Sequence, residues 1–207
     1  MQILVGKTAA RLDDWEPREL WPAIARGPRP GDRGDAYERI VGKEPPGPPI
    51  AGGPHRRAAD AILGYRVFPP STVEGVLRRA PVEVGDTVGI RYHLLPGVTL
   101  FFAARVTARF DGVDERGDPD CHLTGFTYRT LVGHPELGEE TFSVEKSLAT
   151  GVVTVALRSW SRPGTTLARL FAPLVRRLQV SASYRALDHL RALATATTTS
   201  PRAGSAR

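Results

Sequence analysis

The chain has 207 residues, 41% of them apolar, enough for one domain with a sizeable core and too few for two full domains. Its net charge of +6 and pI near 10.0 raise nucleic acid as a partner, yet only three lysines occur (Lys7, Lys43, Lys146) and the arginines are scattered, with no aromatic-interleaved basic stripe to follow a phosphate backbone. The single cysteine, Cys121, excludes an intramolecular disulfide and a multi-thiolate zinc site; no stretch reaches the ~18 apolar residues of a membrane span, and no signal-peptide pattern opens the chain, so a cytoplasmic protein is expected.

In chain order, QILV at 2–5 predicts a short first strand, and Asp13 or Asp14 can cap a brief helix running to Trp21. From Gly27 to Pro54 the strings PRPGDRG, PPGPP and AGGP combine residues without amide donors and residues that resist ordering, which predicts a long loop or arm. A helical stretch over Arg56–Leu63 leads into YRVFPP, whose prolines end any strand begun at Tyr65. The period then changes to two. Segments 87–93, 98–110, 121–131, 139–147 and 152–160 predict five strands joined by short links, the pattern of an antiparallel meander, with DGVDERGDPD at 111–120 as a hairpin tip. From Thr166 to about Ala194 the period becomes 3.6: Leu167, Leu170, Phe171, Leu174, Val175 and Leu178 share one face, and Tyr184, Leu187, Leu190 and Ala194 resume a stripe after a phase shift near Ser181. Pro173 predicts a kink in that helix. The tail from 195 to 207 is poor in apolar residues and reads as disordered.

Local catalytic signatures are missing. VGKTAARL ends like a phosphate-binding loop, but the motif's first glycine would have to precede Met1. The five histidines never fall in HxxxH or HExxH spacing, no GxSxG elbow occurs, and no dinucleotide fingerprint is present, so the reading is of a protein that uses neither metal nor cofactor. Strand alternation then sorts the polar groups. His122, Thr124, Phe126 and Tyr128 share one face of their strand, and Glu140, Phe142 and Val144 share one face of the next; the Phe-bearing faces should look inward. Tyr92 with Ile90, and Phe102 with Leu100 and Val106, belong to the same interior. Glu140, His122, Tyr128 and Tyr92 are thus polar groups aimed at an apolar space. A desolvated carboxyl there is a general acid near neutral pH and an imidazole a base, so the expected catalytic set is Glu140, His122 and Tyr128, with Tyr92, Phe102 and Phe126 contacting substrate. The alternative places Glu140 at a strand end in water and His122 beside a hairpin.

The segments GFTYRTLVGHPELGEETFSVEKS and VALRSWSRPGTTLARLFAPLVRRLQVSASYRAL, with YRVFPPSTVEGVL and VEVGDTV upstream, resemble a bacterial and plant family catalogued as domain of unknown function nineteen-ninety, over roughly residues 57 to 193. The resemblance implies an α+β helix-grip fold, a curved antiparallel sheet wrapped around a long C-terminal helix, related to the birch pollen allergen, START lipid-transfer domains and polyketide cyclases. It divides the chain into an N-terminal segment with its arm (1–56), the helix-grip domain (57–194) and the tail. Two further residues enter as contacts at the mouth of the implied cavity: Arg129, where the family usually has glycine, and His134, in the tight GHPELGEE connection. For each, an ordinary structural role stands beside that one: an arginine lying outward on the sheet, or a histidine fixing a turn. Because no activity is agreed for the family, function rests on the residues. They suit cofactor-free ring closure of an extended polyketide-like substrate to a cyclic acetal or spiroacetal, with Glu140 protonating, His122 deprotonating and a tyrosine orienting. The competing readings are a non-catalytic carrier of a lipid-like ligand and a scaffold whose core is filled by side chains.

Overall fold

The structure, a computed structural model, describes residues 1–5, 11–114, 117–164 and 172–196. Its elements are β1 (Gln2–Val5), β2 (Arg33–Lys43), α1 (Pro54–Leu63), β3 (Val73–Val76), β4 (Thr87–Leu95), β5 (Val98–Val113), β6 (Cys121–Thr130), β7 (Glu136–Ser147), β8 (Val152–Pro163) and α2 (Ala172–Thr195), with short 3₁₀ turns at Leu12–Asp14 and Pro22–Arg26. The strands form one antiparallel sheet in the order β2-β8-β7-β6-β5-β4-β3, and β1 pairs with the first residues of β5. This curled sheet, closed by the C-terminal helix, is the α+β helix-grip arrangement.

The five long strands follow the alternation of their sequences, and the meander appears as expected. The arm does not. Its residues 33–43 form β2, an eleven-residue strand paired along β8. The alternation exists, since Asp35, Tyr37, Arg39 and Val41 are more buried than Gly34, Ala36, Glu38 and Ile40, but the inward set is polar and so lacks the apolar signature of a strand. Those polar groups face α2: Arg176 forms a two-pronged ion pair with Asp35, Arg39 pairs with Asp188, and the Tyr37 and Tyr184 rings meet edge to face at 5.5 Å. Tyr184 is half exposed, and the buried stripe of α2 runs instead through Ala182, Ala186, Leu187, Leu190 and Ala194. The brief helix expected from its cap at Asp13 or Asp14 to Trp21 does not form, a 3₁₀ turn at Leu12–Asp14 standing where the cap was expected, and TVEGV, unassigned from sequence, supplies β3. The stretch Thr166–Phe171 and the tail from residue 197 lie outside the described residues, which leaves the expected kink at Pro173 at their boundary.

The main core lies between the concave face, α1 and α2. At its centre Tyr65, Phe68, Phe126, Tyr128 and Phe142 pack with ring centroids 5.5–6.4 Å apart. A smaller core covers part of the convex face, where Leu4, Leu12 and Trp15 pack on Phe101, Ala103 and Leu131. Beneath the start of α1 a fully buried ion pair joins Lys146 to Glu44 at 2.9 Å. The lysine also donates to the Pro48 carbonyl, and Glu44 accepts the backbone N–H groups of Ile50 and His55, so one carboxylate caps the helix and pins the proline-rich turn.

Candidate functional site

Four residues lie side by side across the concave face because they are register partners: Asp35 on β2, Ser159 on β8, Glu140 on β7 and Tyr128 on β6. The Tyr128 hydroxyl donates to Glu140 Oε2 at 2.6 Å. Tyr65 reaches the same point from the turn after α1, where its φ of 49° lies in the left-handed region that a non-glycine residue rarely adopts. Its hydroxyl lies beside that of Tyr128 without meeting hydrogen-bond geometry and is buried with no partner. A further acid, Glu136, occupies the same face four residues before Glu140; it accepts hydrogen bonds from the Gln179 amide on α2 and from Ser161.

The electrostatics follow from this crowding. Desolvation pushes Glu140 up to about 7, with the Tyr128 hydrogen bond working against the rise and the charges of Glu136 and Asp35 adding to it. Glu136 is raised too, chiefly by burial, and Tyr65 and Tyr128 are held far above the usual phenol range by burial and by the neighbouring carboxyl. Glu140 nevertheless keeps part of its surface accessible. A carboxyl close to half-protonated at neutral pH and still reachable can donate or accept a proton.

Of the residues expected to act together, Glu140 and Tyr128 meet and His122 does not join them. It shares their face but lies six residues along β6 from Tyr128, ~20 Å away at the rise of a strand. There its Nε2 contacts Asp111 at 3.1 Å and its ring meets His55 edge to face at 5.2 Å. Strand parity was right for His122; distance along the strand separates it from the acid. Tyr92 is half-buried against the core near Arg185, and Phe126 is fully enclosed within the aromatic cluster. Phe102 packs on His134 with rings 4.5 Å apart. His134 is buried with Nδ1 at the backbone of Glu136, and burial lowers it to about 3, which keeps it neutral and makes it a fixture of the turn. Arg129 points to the outer face, paired with Glu139 at 2.5 Å, because it alternates with the inward Tyr128. Cys121 is raised to about 11 by burial and nearby acids, the opposite of an activated thiol.

Sequence reasoning missed Asp35, Tyr65, Glu136, Arg176 and Gln179. The first stood in the presumed arm, Tyr65 sits outside any periodic element, and the expected strand began at residue 139. Only the i, i+3 spacing of Arg176 and Gln179 placed two polar groups side by side on one helical face.

Elsewhere a cleft of about 170 Å³ is lined by Arg78, Arg79 and Arg105, but Arg78 pairs with Asp13 and Glu16, Arg79 with Asp86, and Arg105 donates to backbone carbonyls, so the guanidiniums are already engaged. Among the described residues no helix is long and apolar enough to cross a membrane, which leaves strands unaddressed.

Residues 28–189 match the family described as domain of unknown function DUF1990. The chain belongs to this family. The match begins upstream of β2, in keeping with that strand's place in the sheet. A protein of Dictyostelium discoideum named UPF0548 protein is 30% identical over 130 residues, which make up 60% of this chain and 58% of that protein, so the likeness spans little more than half of the relative. The crystal structure of hypothetical protein jhp0584 from Helicobacter pylori superposes with a TM-score of 0.53 at 12% identity, covering 92% of this chain and 99% of that one. Ginseng major latex-like protein 151 from Panax ginseng gives a TM-score of 0.41 at 13% identity, covering 76% and 97%. Likeness at such identities concerns the fold alone.

Proposed function

We propose that this DUF1990 protein binds an apolar small molecule against its concave face, with the polar end at Glu140 and Tyr128, and that Glu140 serves cofactor-free proton transfer there. The observation that carries the reading is a single carboxyl that is desolvated, bonded to one phenol, poised near pH 7 and still reachable. Such a group can polarise a carbonyl while the site holds a flexible chain in a reactive geometry, the requirements of acetal or spiroacetal closure of a polyketide-like substrate. His122 has no part in this version. The same carboxyl takes the proton back once a substrate hydroxyl has attacked and the hemiacetal has formed; it then protonates the hemiacetal hydroxyl, which leaves as water, and takes up the proton of the second substrate hydroxyl that closes the acetal, with Tyr128 orienting it.

The test begins with mass spectrometry of ligands retained through native purification, followed by turnover of the open-chain form of any cyclic compound recovered. Glu140→Gln should remove turnover while the apolar part of the ligand still binds, with Tyr128→Phe lowering the rate. Binding without turnover in the unaltered protein makes it a carrier, and a chain that retains and binds nothing apolar ends the reading.

A further inference from the structure

Three inward carboxyls, Asp35, Glu136 and Glu140, stand at one end of the concave face, and the cations there do not match them. Arg176 is committed to Asp35 through both of its terminal nitrogens, and Arg33 acts on Glu136. Among the described residues only the Tyr128 phenol donates to Glu140. Buried polar atoms here also lack partners. The Tyr65 hydroxyl, on a side chain only 4% exposed, points to the Tyr128–Glu140 pair with no hydrogen-bond partner. Gln179 gives its amide N–H to Glu136 and leaves its own carbonyl oxygen buried without a donor. Around the two hydroxyls the rings of Tyr65, Tyr128 and Phe142 pack on one another, and an aromatic face attracts a cation.

We propose that the ligand's polar end is a protonated amine, seated between Glu140, Glu136 and the aromatic cluster. This rests on the apolar small-molecule binding proposed above and not on ring closure, since a Glu140 held ionised by an ammonium has no proton to give a carbonyl. An ammonium brings one positive charge and up to three N–H donors, the two things this end lacks. A hydroxyl brings one donor and no charge, and a carboxylate adds a further negative charge beside three acids. The raised Glu140 agrees with a desolvated carboxyl that lacks a counter-charge, and an arriving cation would favour its ionised form.

The test is calorimetric titration of the full chain with octylamine, octanol and octanoate, which share an apolar tail and differ at the head. Octylamine should bind roughly tenfold or more tightly than the other two. Its affinity should fall between about pH 8 and about pH 6, because Glu140 takes up a proton on passing about 7 and loses its charge. Glu140→Gln should abolish the preference for the amine. Tyr65→Phe keeps the ring and removes no hydrogen bond, so it should fold normally and weaken octylamine alone by several-fold. Equal binding of octanol or octanoate, or an amine preference that survives Glu140→Gln, overturns the amine and leaves apolar binding standing. If none of the three binds, the small-molecule reading falls and the amine with it.

Discussion

Glu140 and Lys146 are inward-facing charged groups on the same strand, six residues apart, and the fold treats them in opposite ways. Lys146 is given a carboxylate and a carbonyl, whereas Glu140 is given a single phenol. Burying a charge costs several kcal/mol, so the completed set marks a structural device and the incomplete one a group left available. Lys146→Met would strand Glu44 in the interior and should destabilise the protein by about 3–5 kcal/mol in urea unfolding. Adding Glu44→Gln should recover part of that loss; a single variant near wild-type stability would show the pair to be dispensable. Parity found Glu140 and Tyr128 because each stands two residues from a phenylalanine on the same face whose inward side is certain. No such ruler reaches Glu44 or Tyr65, which act from turns, where backbone conformation and not period decides direction.

At the level of elements, α2 is held to the sheet by an apolar stripe toward its C-terminal end and by ion pairs to β2. The two pairs differ in surroundings: Asp188 is 62% exposed, while Asp35 and Arg176 are 16% and 32% exposed. An exposed pair contributes little and a shielded, two-pronged one more. A double-mutant cycle on Asp35 and Arg176 should therefore return about 1–2 kcal/mol, and one on Arg39 and Asp188 below about 0.5 kcal/mol. Equal coupling energies would mean that shielding makes no difference here. The same polarity explains why β2 was hidden in the sequence. A strand that meets its helix through Asp35, Tyr37 and Arg39 carries alternation in burial and none in hydrophobicity, and the flanking proline-rich runs complete the appearance of a loop.

For the whole molecule, the meander, the closing helix and the main core were legible because each rests on many residues repeating one period. The site was only half legible, since it assembles residues from β2, the turn after α1, β7 and α2 that no local pattern relates. Its buried titratable groups also set how stability responds to pH. His55 is held down to about 4 and His134 to about 3, chiefly by burial. Each unfolded imidazole binds a proton below about 6.5 that its folded counterpart refuses, so both contribute stability present above that pH and lost as pH falls. Glu140 has the opposite sign: raised from 4.5 to about 7, it contributes stability below 4.5 that is lost as pH rises toward 7. Between about pH 6.5 and 4.5 His55 and His134, with His189 acting in the same sense, lower stability on acidification, while Glu140 and the likewise raised Glu136 work against them. His134→Asn keeps an acceptor for the Glu136 backbone N–H and removes one titrating group. Urea unfolding of that variant across the same window should lose less stability on acidification than the wild type, by up to one proton or ~1.4 kcal/mol per pH unit, and an unchanged slope would rule out His134 as a source of acid lability.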